Sequence, residues 1–340
     1  MKRTAVLFTS ILFLVITLPG PCFSQERTYR IEVLQITDLI SFQMAYDGFL
    51  KELEKNGLVL GKNLSVKRTI IDFDIRNPTL WKKMKALVRI RSEASRIAGE
   101  KPDLALTMGT PVTRFAKDKI IDAGIPVVFT AVAFPVEAGS RSMTEAGPGF
   151  TGSTSFMELD EAVRIVRLAF PKMRRVGIVH SGGNGIAAHL EEARDEGSTH
   201  GFTFLTREAD MEDPIAPYLK DLSEKGAEAF AVPPDPYYII NNYDAADDLG
   251  SFTKSARVPV ISLVVVRFPG AVLYVGTDFS YVGSLSGTQA VKILKNGVKP
   301  ESLPILRQQN LTVLVDTKLA RAYGLKFTPE FLRTARSIEQ

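Results

Sequence analysis

Cysteine is nearly absent from this chain. Cys22 is the only one among 340 residues, and it sits in an N-terminal segment with the marks of a leader. A mature chain without it can form no disulfide, so an apolar core must hold the fold together. The 45% hydrophobic content can supply that core, and about 315 mature residues are expected to divide it between two domains. Histidine is almost as scarce. His180, His189 and His200 match no zinc spacing; His189 on a predicted helix and His200 near a turn read as solvated surface, and no metal is expected. The G-x-S-x-G elbow, the Walker loop and H-E-x-x-H are also missing. Residues 57–62 imitate a phosphate loop only with the wrong spacing and with Asn63 in place of Ser or Thr, so neither a catalytic residue nor a cofactor is expected. Charge of one sign is lacking too. Removing Lys2 and Arg3 with the leader lowers the formal charge from +4 to +2, with 40 basic residues against 38 acidic ones. That balance argues against a nucleic-acid partner.

Beyond the leader, no apolar run is long enough to span a bilayer. The leader itself has basic Lys2-Arg3, an apolar run over residues 5–18, the helix-breaking Pro19-Gly20-Pro21 and the small Ser24. Residues 1–24 therefore read as a secretory signal peptide, cleaved after Ser24 with Cys22 at the −3 position. A rival reading makes Cys22 a lipidated first residue, but Pro21 suits that poorly.

What is present is a strict alternation of strand-like and helix-like segments, the pattern of an α/β fold. Strands are expected at 29–36, 64–71, 104–107 and 126–131, with a helix starting near Phe42 and others at 81–98 and 112–122. After a Gly-, Ser- and Glu-rich approach at 136–149 a second set follows. Its helices are expected at 158–170, 186–196, 215–224, 243–256 and 281–296, and its strands at 176–179, 203–206, 229–232, 258–265, 271–275 and 311–315. Two such sets in series suggest two lobes.

The run PDLALTMGTP reads as a buried strand leading directly into a helix, with Gly109 at the turn, Thr110 as N-cap and Pro111 as first helical residue. Free backbone N–H groups would then line the carboxyl edge of a sheet, where open α/β folds bind small ligands. Thr37 and Asp38, Thr130, and Thr277 with Asp278 occupy similar strand ends. The segment from His180 and Ser181 through Asn184 also follows a strand, and Gly183, Gly185 and Ala188 fit G-x-G-x-x-A with Glu208 at a ribose-binding distance. A tight turn explains the same glycines. In the loop 232–238, Asp235 can meet an ammonium group or cap the next helix, while Tyr237 and Tyr238 offer stacking surface or form a rigid turn.

The ordered set FQMAYDGFLKELEKNGLVLGKNL, GTPVTRFAKD, IPVVFTAVAFPVEAG, GFTGSTS, FPKMRRVGIVHSGG, AVPPDP, GTDFSYVGSLSGTQAVKILKNGVKPESLPI and DTKLARAYGL resembles the ABC-transporter substrate-binding proteins of the tryptophan-binding-like group. The resemblance spans nearly the whole mature chain. It implies the type I periplasmic-binding-protein fold: two Rossmann-like lobes with parallel sheets joined by a hinge. Lobe 1 would be 28–150 plus 276–310 and lobe 2 would be 151–275 plus 311–340. It implies a periplasmic, monomeric protein that binds a small organic ligand between the lobes and presents its closed form to a permease and ATPase complex. By motif, Thr110 would bond a ligand carboxylate and Asp235 a ligand amine, with Thr37, Asp38 and the 180–184 loop nearby. Gly109, Thr130, Phe134, Ser181, Tyr237 and Asp278 complete the expected ligand-binding set.

Two departures matter. Phe134-Pro135 stands where the family usually has Asp-Pro, and residues 263–266 are apolar where members commonly carry polar or acidic groups. Both remove charge from the expected cleft and favour an aromatic or branched ligand, an amino acid or a related carboxylate. Alternatives of other classes are a sensor module for a membrane receptor and an exported nucleotide-dependent enzyme.

Overall fold

The computed structural model describes residues 27–74, 79–182, 184–238 and 244–338. The expected signal peptide, its cleavage site and Cys22 lie outside the described residues.

The chain begins with β1 (Tyr29–Gln35), α1 (Ile40–Lys55), β2 (Leu64–Ile70), α2 (Leu80–Glu100), β3 (Leu104–Met108), α3 (Thr110–Ile121), β4 (Val127–Val132) and β5 (Phe150–Thr154). It continues with α4 (Leu159–Ala169), β6 (Arg175–Ser181), α5 (Asn184–Thr199), β7 (Thr203–Ala209), α6 (Ala216–Glu224), β8 (Ala229–Val232), α7 (Asp244–Ala256), β9 (Val260–Ser262) and β10 (Ala271–Gly276). Then follow α8 (Phe279–Asn296), β11 (Leu306–Arg307), β12 (Thr312–Asp316), α9 (Thr317–Ala322), α10 (Pro329–Thr334) and β13 (Arg336–Ile338).

Two sheets result, in the orders β11-β5-β4-β3-β1-β2 and β13-β12-β10-β9-β8-β6-β7. The first is parallel throughout; in the second only the β10–β12 pair is antiparallel. Each sheet is covered on both faces, which is why its central strands are apolar without alternation. In lobe 1, Ile31 and Val33 join Leu104, Leu106 and Met108 under α1 and α8. Leu34, next after Val33, and Ala105, between Leu104 and Leu106, face the opposite layer, against Ile90, Ala94 and Ile97 of α2 and Val112, Ala116 and Ile120 of α3. Each fully buried Leu, Ile or Phe contributes about 2 kcal/mol relative to exposure, so these two layers carry the lobe.

The helix α8, entered from the second sheet, is locked onto the first by a close crossing with α1. A Cβ at Gly283 would collide with the Ala45 carbonyl, and one at Gly48 with the Ser280 carbonyl.

Three sequence expectations need correction. The first lobe was expected to end at residue 150, but β5 pairs with β4, so the first crossing comes after Thr154. The segment FTGST carries no apolar run because its hydroxyls are satisfied inside the fold. Thr151 Oγ1 donates to the Leu303 carbonyl (3.1 Å), Ser153 Oγ to that of Val282 (2.7 Å) and Thr154 Oγ1 to that of Val132 (2.8 Å). The strand expected over 258–265 is only β9. Ser262 Oγ donates to the Val264 carbonyl (2.7 Å) and turns the chain there. Beyond the strand expected to end the fold, α9, α10 and β13 add a closing unit. It is seeded by Asp316 Oδ1 accepting from Leu319 N (2.7 Å), Thr328 Oγ1 accepting from Phe331 N (3.1 Å), and fully buried Phe331.

Candidate ligand-binding cleft

Both sheets reverse their strand order at one place, between β1 and β3 in lobe 1 and between β6 and β8 in lobe 2. At such a switch point the loops leaving adjacent strands diverge and open a crevice at the carboxyl edge. Residues 36–39 and Gly109-Thr110 flank the crevice of lobe 1; residues 181–182 and 233–235 flank that of lobe 2.

In lobe 1 the strand-to-helix turn differs from expectation in one detail. Gly109, at φ 89°, is the residue before the helix, and Thr110 and Pro111 are its first two residues. The left-handed conformation lets the chain turn without a capping side chain, so Thr110 is not the N-cap. Gly109 N donates to the Thr130 carbonyl (3.1 Å), tying the ends of β3 and β4 together. Thr130 is fully buried, and its Oγ1 has no hydrogen-bond partner among the described residues. Next to it Ala131 has φ 54°, and the β4–β5 register slips between Phe129 and Val132. A non-glycine residue held in that region stores strain, a feature that concentrates at functional sites. Phe134 lies edge-on to Phe156, with ring centroids 5.8 Å apart. Thr37 is buried, its carbonyl accepting from Gln35 Nε2 (2.6 Å), while Asp38 is exposed.

Lobe 2 treats its polar groups differently. Asp235, 2% exposed, accepts from Ser181 N (2.7 Å), Ser181 Oγ (2.8 Å) and Tyr237 N (3.0 Å). It braces the loops after β6 and β8 against each other and does not cap α7, which begins nine residues later. His180 is buried, with Nδ1 3.0 Å from the Ser181 carbonyl. Asn184 opens α5, and its side chain lies outside what is described. Tyr237 and Tyr238 are core residues, with hydroxyls donating to the Asp213 and Val179 carbonyls (2.8 Å each). Burial raises both phenol pKa values. Their rings pack on one another, and that of Tyr238 also on Phe268, so the expected stacking surface is turned inward. Asp278 caps α8, accepting from Ser280 N (2.9 Å) and Tyr281 N (3.4 Å).

A cavity lies between the lobes. Ala133, Ser155, Phe156 and Met157 line it from the lobe 1 side; Ile178, Leu190, Pro233, Pro234, Leu263 and Val264 line it from lobe 2. Leu159 of α4 and, at the chain crossing, Thr277 and Phe279 complete the wall. None of the twelve residues expected to bind ligand lines it. Yet Ala133 adjoins Phe134, Pro234 adjoins Asp235, and Thr277 and Phe279 bracket Asp278. The apolar Leu263-Val264 pair carried the clearest sequence signal for the wall itself.

The glycine loop after β6 is poorly suited to a nucleotide. Glu208 packs its carboxylate against Gly182, where a pyrophosphate would have to approach. Asp160, Glu196 and His200 bring their ligand atoms within 4.8 Å of one another, a cluster the sequence spacing did not show because Asp160 comes from α4. His200 Nε2 lies 2.7 Å from Asp160 Oδ1, and this contact lowers the carboxyl pKa.

The model of the ABC transporter substrate binding protein family matches residues 30–339, and this chain belongs to that family. A tyrosine-binding protein of Clostridioides difficile is 21% identical over 304 residues, covering 88% of this chain and 82% of its own. A conserved domain protein of Vibrio cholerae superposes with a TM-score of 0.70 at 22% identity, over 92% of this chain and 99% of its own. A Streptococcus pneumonia protein in complex with L-Trp superposes with a TM-score of 0.69 at 18% identity, over 91% and 99%. The fold is thus the two-lobed type I periplasmic-binding-protein fold, and the family is one of solute-binding proteins rather than enzymes. No helix among the described residues is long and apolar enough to cross a membrane.

Proposed function

We propose that this protein is the extracytoplasmic solute-binding component of an ABC importer, holding a small molecule with an aromatic or branched apolar body between its lobes. The carrying observation is the interlobe cavity, whose wall is apolar except for Ser155 and Thr277 and includes Phe156 and Phe279. Enclosing an apolar group there removes its surface from water, which stabilises the closed arrangement by about 25 cal/mol per Å². One relative is named a tyrosine-binding protein and one similar structure is in complex with L-Trp, both aromatic ligands. The strand-end residues Thr37, Asp38, Gly109, Thr110, Thr130 and Phe134 of lobe 1, with His180, Ser181 and Asn184 of lobe 2, form the rim. Asp235, Tyr237 and Asp278 position that rim. The partners are a permease and its ATPase, and the working unit is a monomer delivered by a cleaved signal peptide.

A thermal-shift and calorimetric screen of aromatic and branched carboxylates and amino acids tests this. A true ligand at 100 times its Kd raises stability by about 2.7 kcal/mol. Phe156→Ala should weaken the best binder roughly tenfold through lost apolar contact. An unchanged Kd in that variant would place the site elsewhere.

A further inference from the structure

We infer that the ligand is an aromatic or branched carboxylic acid without an α-amino group. The inference rests on the proposed interlobe site and narrows the chemistry it accepts.

An ammonium group taken out of water needs a carboxylate or several acceptors around it. No lining residue among those described is acidic. Five carboxylates are adjacent in sequence to lining residues, and four are already engaged: Asp235 accepts three hydrogen bonds inside lobe 2, Asp278 caps α8, Glu158 pairs with Arg307 at 2.7 Å and Asp160 lies 2.7 Å from His200 Nε2. The fifth, Glu191 on α5, is exposed and outside the lining. At residue 134 a phenyl ring packs against Phe156, a wall residue. Asp38, on the loop after β1, is exposed and outside the lining.

An anion meets the opposite situation. The 12-residue α3 and the 16-residue α5 both start at the carboxyl edges, α3 after a single glycine, so their positive ends lie at the crevice. A second observation points to a ligand oxygen. Thr277 lines the cavity, is 5% exposed and leaves its Oγ1 without a partner; Thr130, hydrogen-bonded through its carbonyl to Gly109 at the start of α3, leaves its own Oγ1 unpartnered too. Buried hydroxyls are rarely left so, and Thr277 Oγ1, on the cavity wall, can donate to a carboxylate. The site therefore combines a hydroxyl donor, positive helix ends and an apolar wall, with no carboxylate among the described lining residues to neutralise an ammonium.

Calorimetric titration of the full mature chain with matched pairs decides it: 3-phenylpropionate against L-phenylalanine, indole-3-propionate against L-tryptophan, and 4-methylpentanoate against L-leucine. The expected result is that the acid of at least one pair binds roughly tenfold or more tightly than its amino acid, since the extra ammonium goes unpaired. Thr277→Val, close to isosteric, should weaken that acid several-fold while the protein still unfolds cooperatively. An amino acid binding as tightly as its partner acid overturns the inference and leaves the proposed function standing; Asp38→Asn then shows whether Asp38 is the counter-ion. If no member of any pair binds, the ligand class proposed above falls with it.

Discussion

The two lobes repeat one strand order yet handle the polar residues at their strand ends in opposite ways. In lobe 2 the carboxylate of Asp235 is spent on Ser181 and Tyr237, and both tyrosine hydroxyls reach backbone carbonyls. In lobe 1 the Thr130 hydroxyl is buried unpartnered beside the left-handed Ala131. The difference shows that position at a carboxyl edge does not make a residue a ligand contact. What matters is whether its hydrogen bonds are already satisfied by the fold. Lobe 2 gives the cavity an apolar wall, and the two polar lining residues, Ser155 and Thr277, come from the lobe 1 side and the chain crossing.

The largest test of this contrast is Asp235→Ala. Removing the brace leaves Ser181 N, Ser181 Oγ and Tyr237 N without acceptors, and the cost should be about 3 kcal/mol, read from urea unfolding. Full stability in that variant, with ligand affinity lost, would make Asp235 a contact after all and erase the difference between the lobes. Thr130→Val should act in the other direction. Deleting an unpartnered buried hydroxyl should leave stability equal or raise it by about 1 kcal/mol, whereas a loss would reveal a partner for it.

A smaller effect separates the lobes by pH. In lobe 1, Arg96 links Glu32 (2.8 Å), Glu93 (2.7 Å) and Glu100 (2.9 Å), and hydrogen bonds from Arg96 and Lys67 hold the Glu100 pKa down to about 2 from 4.5. A depressed carboxyl pKa stabilises the folded state above the unfolded value, and that contribution disappears as protons bind on the way down. Stability should therefore decline as pH falls from 4.5 toward 2, and Glu100→Gln should flatten the lower part of that decline in a pH series of melting curves. Because the pair is exposed, the change should be small and should shrink further in salt.

The order of long elements was legible because burial on both faces leaves an unmistakable apolar run, as in β3 and β4, and because amphipathic helices repeat at 3.6 residues. β5 was not, since its threonines and serine are buried through hydrogen bonds to residues 132, 282 and 303, partners up to 152 positions away. The two-residue β11 is too short to carry a pattern, and β13 is a strand because β12 lies beside it. At the site, the expected residues and the residues that line the cavity are neighbours along the chain. Ala133 rather than Phe134, and Thr277 rather than Asp278, line the cavity.

By itself, then, the sequence determined the α/β class, the two-lobe plan, the family and the loss of charge at residues 134 and 263–266. Composition, periodicity and motif order are local properties of the chain, and they suffice for that. Only the tertiary structure decided that Asp235 is a brace, that Tyr237 and Tyr238 are core, and that the Thr130 and Thr277 hydroxyls have no partner among the described residues. Those facts depend on which groups from distant segments arrive within 3 Å of each other, and no spacing along the chain encodes that distance.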